Sequence, residues 1–291
     1  MLVNSPFLVY HDLMKISGKD VADAILEKLK IEIKKKDLHP SLAIILANNN
    51  PASKIYVDNK IRAAERIGVK ANLYNFLEVE SKECIKAIKW LNNDPLINGI
   101  IVQYPVYPSW NFDDFENSIT PKKDVDGFLE NSPYIGATAL AIWEMLTAFA
   151  YEEGFKKTED FLKDKKIIVL GKGKTAGGPV IRLLKGKGFS LEVVDKETKN
   201  PDEIIKKADV IISATGVKNI INKDNLKKGS YVIGVGVGKE LVDGENKTYG
   251  DINEEDVDKL AKLYCPTIGG IGPLTIVSLL KNVVQSAQKV S

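Results

Sequence analysis

Lys166-Ile167-Ile168-Val169-Leu170-Gly171-Lys172-Gly173-Lys174-Thr175-Ala176-Gly177-Gly178-Pro179 runs from an apolar stretch through a glycine-rich turn to a helix start. Residues 166–170 read as a buried strand. Pro179 suits the opening of a helix, where its missing N–H costs little. The pattern then repeats. A strand at 191–194 ends in Asp195. A strand at 210–213 runs into Ala214-Thr215-Gly216. A third, Tyr231-Val232-Ile233, runs into Gly234-Val235-Gly236-Val237-Gly238. Glycine after successive strand ends lets backbone approach a flat or charged ligand. This predicts a parallel, dinucleotide-binding unit with Gly171, Gly173, Gly177, Gly216 and Val237 near the ligand. The spacing is G-x-G-x-x-x-G, not the commoner G-x-G-x-x-G. Alone it also fits a tight turn with no ligand. Gly173-Lys174-Thr175 resembles the end of a P-loop, but that motif needs Gly at position 168, which is Ile.

Upstream, a second series of strands and helices is legible. Val21, Ile25, Leu29 and Ile33 mark a helix after Ser17. A buried strand at 42–47 is broken by Asn48, Asn49, Asn50 and Pro51. Ser53 is then expected to cap a helix over 54–67, closed by Gly68. Tyr56 and Lys60 are four residues apart and share one helix face. A strand at 71–77, a helix at 82–91 capped by Ser81, and a strand at 100–103 follow. Alternation of this kind implies a parallel sheet covered by helices. Ligands of such sheets sit beyond the carboxyl ends of the strands. Residues 48–53 and the aromatic loop Gln103-Tyr104-Pro105-Val106-Tyr107-Pro108 should therefore converge. Asp124-Val125-Asp126-Gly127 places two carboxylates in a turn. A helix is expected over 138–151 and a linker over 154–163. Gly269-Gly270-Ile271-Gly272-Pro273 opens a final apolar helix to about Gln288. Taken singly, Tyr-x-x-x-Lys also fits an ordinary amphipathic helix, and Asp-Val-Asp-Gly a solvated turn.

The 291 residues suit about two domains. A formal charge of +2 gives no reason to expect nucleic acid or an acidic membrane as partner. Lys34-Lys35-Lys36 marks a helix end. Cys84, Cys265, His11 and His39 have no metal-ligand spacing and read as structural, so no metal site is expected. No stretch approaches the roughly 18 apolar residues of a membrane span. The N-terminus lacks a basic region followed by an apolar one, so a cytoplasmic location is the default.

Together these stretches resemble the methylenetetrahydrofolate dehydrogenase/cyclohydrolase family along nearly the full chain. The matching pieces are Pro51-Ala52-Ser53 with Tyr56 and Lys60, residues 99–105 with Gln103, Lys123-Asp124-Val125-Asp126-Gly127, the turn at 171–179, Gly250-Asp251-Ile252, and residues 269–275. Their order and spacing match as well. The resemblance implies two α/β domains around a cleft: a folate-binding catalytic domain of residues 1–142 plus 272–291, and a Rossmann-like NAD(P)-binding domain of 143–271. It implies tetrahydrofolate substrates, a nicotinamide cofactor and a homodimer. Two steps follow: hydride transfer from methylenetetrahydrofolate, then hydrolysis of the methenyl cation to formyltetrahydrofolate. Lys60 is the implied acid/base, with Gln103 and Tyr56 positioning Lys60 or substrate. Asp126 matches the carboxylate that meets the pterin, and Gly269, Gly270 and Pro273 would border the folate. Gly171, Lys172, Gly173, Thr175, Gly177, Asp195, Gly216 and Val237 would meet the cofactor. Asp195 and Glu197 lean the choice towards NAD over NADP, since carboxylates repel the extra phosphate. Lys172 argues the other way, though only as a point charge.

The chain departs from the family in places. Gly136-Ala137-Thr138-Ala139 stands where a Pro-Cys-Thr-Pro-like segment is usual. Ile268 replaces a Pro, and Lys172-Gly173 an Arg-Ser. Two readings compete with a bifunctional enzyme. One is a two-domain dehydrogenase of another small substrate, since fold does not fix function. The other is a folate-binding protein without catalysis. A short-chain dehydrogenase would place its Tyr-x-x-x-Lys after the glycine turn, not over a hundred residues before it.

Overall fold

The computed structural model describes residues 14–242 and 244–289; His11 lies outside them. In chain order the elements are α1 (Gly18–Lys35), β1 (Ser41–Leu46), α2 (Pro51–Ile67), β2 (Lys70–Asn75), α3 (Ser81–Asn93), β3 (Gly99–Val102), α4 (Phe112–Glu116), α5 (Ala137–Glu152), α6 (Thr158–Leu162), β4 (Ile167–Leu170), α7 (Gly177–Gly186), β5 (Leu191–Val194), α8 (Pro201–Ile205), β6 (Val210–Ser213), β7 (Tyr231–Gly234), β8 (Val237–Val242), β9 (Glu245–Gly250), α9 (Glu254–Leu260), β10 (Leu263–Cys265) and α10 (Ile271–Gln288). The chain divides into two compact units, Ile25–Ala137 with Ile276–Ser291, and Met1–Ala24 with Thr138–Thr275.

The Ile25–Ala137 unit holds a parallel sheet in the order β2-β1-β3. Every residue of β1 is buried, which explains why Ser41–Leu46 is continuously apolar after its first position. Ala43, Ile45 and Ala47 pack with Cys84, Ile88 and Leu91 of α3 and Phe115 of α4. Asn50, not Ser53, caps α2. Its side chain accepts the Ala52 N–H at 2.9 Å, and Pro51 fills the first helical position, where no N–H is needed. Ser53 is buried inside the first turn. Gly68 closes α2 at φ 86. Ser81 is likewise the first residue of α3, not its cap. A 3-10 turn at Glu78–Glu80 precedes it, and the Glu80 carboxylate holds the Leu77 N–H at 2.7 Å.

The Thr138–Thr275 unit holds a five-stranded parallel sheet in the order β10-β7-β6-β4-β5. This is the Rossmann-like arrangement expected from the glycine turn. β4 has β5 on one side and β6 on the other. The order reverses at β4, which is where such sheets bind ligands. Residues 154–163 are not a plain linker: α6 lies within them and buries Thr158, Phe161 and Leu162. Its single turn carries Glu159 and Asp160 between these anchors, too short a stretch to show a helical period. The antiparallel hairpin β8–β9 adds to the unit where the sequence shows only glycine and alternating exposure. Pro179 is the third residue of α7, which begins at Gly177.

Candidate active site

Two strand ends meet in the first unit. The Asn48 side chain donates to the Pro105 carbonyl, and its own oxygen accepts the Asn50 N–H. The Tyr107 hydroxyl donates to Asn49 Oδ1 at 3.2 Å. The loops after β1 and β3 are thus tied, as their position beyond the strand ends requires. A cis peptide joins Tyr104 to Pro105. Gln103 sits at the base of this loop. Its Nε2 donates to the Tyr104 carbonyl at 2.8 Å, which turns Oε1 towards Lys60. Lys60 Nζ donates to that Oε1 at 2.8 Å and stands 4.8 Å from the centre of the Tyr56 ring. The shared helix face therefore does place Tyr56 against Lys60. Lys60 is 5% exposed. Burial lowers its pKa from the ordinary lysine value, and the Asp126 charge partly opposes this.

The two carboxylates of the Asp124 turn differ. Asp124 is 1% exposed and accepts the Gly127 N–H at 3.0 Å and the Leu129 N–H at 2.9 Å. It builds the turn. Asp126 keeps some exposed surface, and its carboxyl is pushed up to about 6 by burial. Lys60 pulls it down, while Asp124 and Glu116 push it up. Burial thus lowers the affinity of the Lys60 amine for its proton and raises that of the Asp126 carboxyl, the direction that favours proton exchange at a site.

Three further residues hold this loop, of which only Asn282 lies outside the quoted motifs. Lys123 Nζ donates to the Leu91 and Asp94 carbonyls, capping the end of α3. Gly99 leaves room for Val125: a Cβ there would stand 2.6 Å from a Val125 methyl. Asn282, on α10, is 2% exposed and donates to the Val125 and Ile135 carbonyls, each at 2.9 Å. A buried Asn on an otherwise apolar helix face is the signal that could have found it. Asn282→Leu removes the donor from the buried Val125 carbonyl and the part-buried Ile135 carbonyl and should cost about 1–3 kcal/mol. The urea midpoint measures this. An unchanged midpoint would mean the two bonds contribute nothing net.

In the Rossmann-like unit, Gly171 has φ 87, and a Cβ there would lie 2.5 Å from the Ala214 carbonyl. A Cβ on Gly177 would lie 2.1 Å from the Gly171 carbonyl. Both glycines are dictated by the turn itself. Gly173 is different: a Cβ there meets nothing within 4 Å, so bare backbone faces open space. Lys172 and Thr175 are exposed beside it. A depression of about 510 Å³ at this end of β4 and β5 is lined by Lys172, Gly178, Ile181, Val193, Asp195, Glu197 and Thr198. Gly216 has φ 71 and approaches the Val237 carbonyl. Open glycine backbone beside a largely apolar depression that also carries Lys172, Asp195 and Glu197, at the reversal of strand order, fits a dinucleotide. Lys172 Nζ lies 2.7 Å from Asp195 Oδ2. The sequence reading sets these two charges against each other, whereas they are paired. The pair raises the Lys172 pKa and lowers that of Asp195.

Gly269, Gly270 and Pro273 also belong to this second unit. Gly269 has φ 77 and open space around it. Gly270 is needed for packing: a Cβ there would stand 1.9 Å from the Pro266 carbonyl. Pro273 lies in the first turn of α10. Cys84 and Cys265 are both buried, which raises both thiols, Cys84 to about 12. Among the described residues no His, Cys, Asp and Glu group could hold a metal ion, and no helix is long and apolar enough to cross a membrane.

The comparisons agree with this geometry. Residues 16–126 match the model of the tetrahydrofolate dehydrogenase/cyclohydrolase catalytic domain, and residues 137–291 match the NAD(P)-binding domain of the same family. The bifunctional protein FolD of Rickettsia bellii is 37% identical over 277 residues, covering 93% of this chain and 97% of that one. Its counterpart from Mycoplasma capricolum is 34% identical over 285 residues, covering 94% and 96%. The crystal structure of the bifunctional enzyme FolD from Campylobacter jejuni has a TM-score of 0.84 at 32% identity, covering 96% of this chain and 99% of that one. The Trypanosoma brucei enzyme, complexed with NADP and an inhibitor, has a TM-score of 0.85 at 26% identity, covering 95% and 98%. With both domain models matched in order and the Lys60–Gln103 pair in place, the chain belongs to the tetrahydrofolate dehydrogenase/cyclohydrolase family.

Proposed function

We propose that Lys60 is the proton-transfer group of a two-step reaction on folate. The chain oxidises 5,10-methylenetetrahydrofolate with a nicotinamide cofactor and hydrolyses the resulting 5,10-methenyl cation to 10-formyltetrahydrofolate. One observation carries the role of Lys60: its buried amine is held on Gln103 Oε1 at 2.8 Å. A free lysine is a poor base near pH 7 because its pKa is about 10.4. Burial brings the Lys60 amine closer to use.

Hydride departure is driven by nitrogen lone pairs of the folate, so the protein contributes mainly orientation. The nicotinamide supplies the hydride acceptor. In the second step water attacks the methenyl carbon and the neutral Lys60 amine takes one of its protons. The carbinolamine then collapses: the carbon–N5 bond breaks, N5 gains a proton, the carbinol hydroxyl loses one to become the formyl oxygen, and one proton is released overall. Gln103 holds the amine in place, Tyr56 covers it and flanks the substrate, and Asp126 accepts hydrogen bonds from the pterin. The family resemblance alone adds Gly269, Gly270 and Pro273 as residues that would border the folate. Geometry supports the roles of Gln103 and Tyr56 beside Lys60, and the family resemblance supports the rest. Methenyltetrahydrofolate supplied without cofactor tests the second step: its absorbance should decay faster with enzyme than without, and equal decay would remove the hydrolase.

The cofactor site is assigned to Gly171, Lys172, Gly173, Thr175, Gly177, Asp195, Gly216 and Val237. The proposed domains, 1–142 plus 272–291 and 143–271, differ from the compact units, which divide after Ala137 and Thr275 and group the segment up to Ala24 with the second unit. We favour NAD over NADP. The extra phosphate would have to part Lys172 from Asp195 and then face both Asp195 and Glu197, which line the same depression. The exposed pair itself is worth little, so the preference is modest, about threefold to tenfold in the specificity constant. The NADP complex of the Trypanosoma brucei enzyme shows that a relative takes the phosphate. Specificity constants with each cofactor decide, and a tenfold preference for NADP would mean that Lys172 leaves Asp195 to grip the phosphate. A homodimer and a cytoplasmic location, without nucleic-acid partners, complete the proposal. They rest on the family resemblance, the +2 charge and the absence of a long apolar helix among the described residues.

A further inference from the structure

Asp251 follows β9 and has no exposed surface. One carboxylate oxygen, Oδ2, accepts both the Ser213 hydroxyl and the Thr215 N–H, each at 2.8 Å. The other, Oδ1, is buried with no hydrogen-bond donor. The Asp251 backbone joins the same region: its N–H donates to the Gly236 carbonyl and its carbonyl accepts the Ile221 N–H. A Cβ on Gly236 would stand 2.4 Å from Asp251 Oδ2 and 2.4 Å from the Gly216 nitrogen. Gly171, in the turn after β4, is pressed against the Ala214 carbonyl. The glycine turn, the loop after β6 and the loop after β7 therefore touch in series, and Asp251 lies beneath the middle one.

A buried carboxylate with an unpaired oxygen is a costly way to stabilise a fold. What it does locally is fix the Thr215 backbone through a short acceptor that a neutral apolar residue lacks. We infer that Asp251 is a positioning residue for the nicotinamide cofactor, holding Ala214-Thr215-Gly216 in the backbone shape that receives it at the ends of β6 and β7. The inference rests on the dehydrogenase reading above. It gives Gly250-Asp251-Ile252 a role distinct from the Lys60 site, because hydrolysis of the methenyl compound takes no cofactor.

The geometry makes a specific demand. Both bonds use one oxygen, so Asp251→Asn can keep them with its amide oxygen at that place, whereas Asp251→Ala cannot. The cofactor KM of Asp251→Ala should rise by about ten- to a hundredfold, with hydrolysis within about twofold of wild type. Asp251→Asn should restore the cofactor KM to within about threefold. Ser213→Ala removes one donor and no charge, so it decides the matter where Asp251→Ala does not fold; a rise of about threefold or more is expected. An unchanged cofactor KM in the folded variants, a parallel fall of both activities, or Asp251→Asn behaving as Asp251→Ala would overturn the inference. Wild-type protein that reduces neither NAD nor NADP would instead overturn the dehydrogenase reading.

Discussion

Lys60→Met should lower hydrolysis of the methenyl compound by about a hundred- to ten-thousand-fold, the usual loss for one general acid/base. Folate should still bind, because Met fills much of the volume that the lysine stem occupies on α2. The pH profile carries the same information. Only a neutral amine can take a proton from water. Burial places the Lys60 pKa below its ordinary value. Hydrolysis by the wild type should therefore rise with pH and level off below the range of a free lysine. That rise should be missing in Lys60→Met. The decay of methenyl absorbance across pH measures both. Near wild-type hydrolysis in the mutant would remove Lys60 from the mechanism.

Asp126→Ala should weaken folate binding by about tenfold to a thousandfold and leave cofactor binding nearly unchanged. A carboxylate facing the donor edge of a pterin can accept two charge-assisted hydrogen bonds, among the stronger kinds. The substitution also removes the charge that opposes the lowering of the Lys60 pKa. The hydrolysis profile of Asp126→Ala should accordingly shift to lower pH. Asp124→Ala is the contrast. Asp124 spends its oxygens on the Gly127 and Leu129 N–H groups, so its loss should be read mainly in stability. Calorimetric titration with folate substrate decides. Unchanged affinity in Asp126→Ala would return that residue to a turn-forming role.

Much of this was legible because strand burial and glycine placement leave period and composition marks. β1, β3, β4, β6 and β7 are fully buried runs, apolar apart from Ser41 and Ser213 at their ends. Tyr56 and Lys60 could be paired from the helical repeat alone. Caps were harder. Asn50 and Ser53 are both good capping residues, and only the backbone path shows that Pro51 already lies inside α2. The turn at α6 escaped because its apolar anchors are too few to show a period. The roles of Asn282 and Asp251 escaped for another reason. Their partners lie far away in sequence, and apart from the Ser213 hydroxyl they are backbone groups, at Val125, Ile135 and Thr215, which residue identity does not mark. The Lys172–Asp195 pair escaped because sequence gives two charges but not their distance.

The central claim is that one chain both oxidises and hydrolyses the folate carbon. Purified protein given 5,10-methylenetetrahydrofolate with NAD, and separately with NADP, tests it in one cuvette. Reduced cofactor should form, the methenyl absorbance should rise and then be consumed, and the formyl product should match the reduced cofactor mole for mole. No reduced cofactor with either nucleotide, or a methenyl species that accumulates and decays only at the uncatalysed rate, would contradict the account.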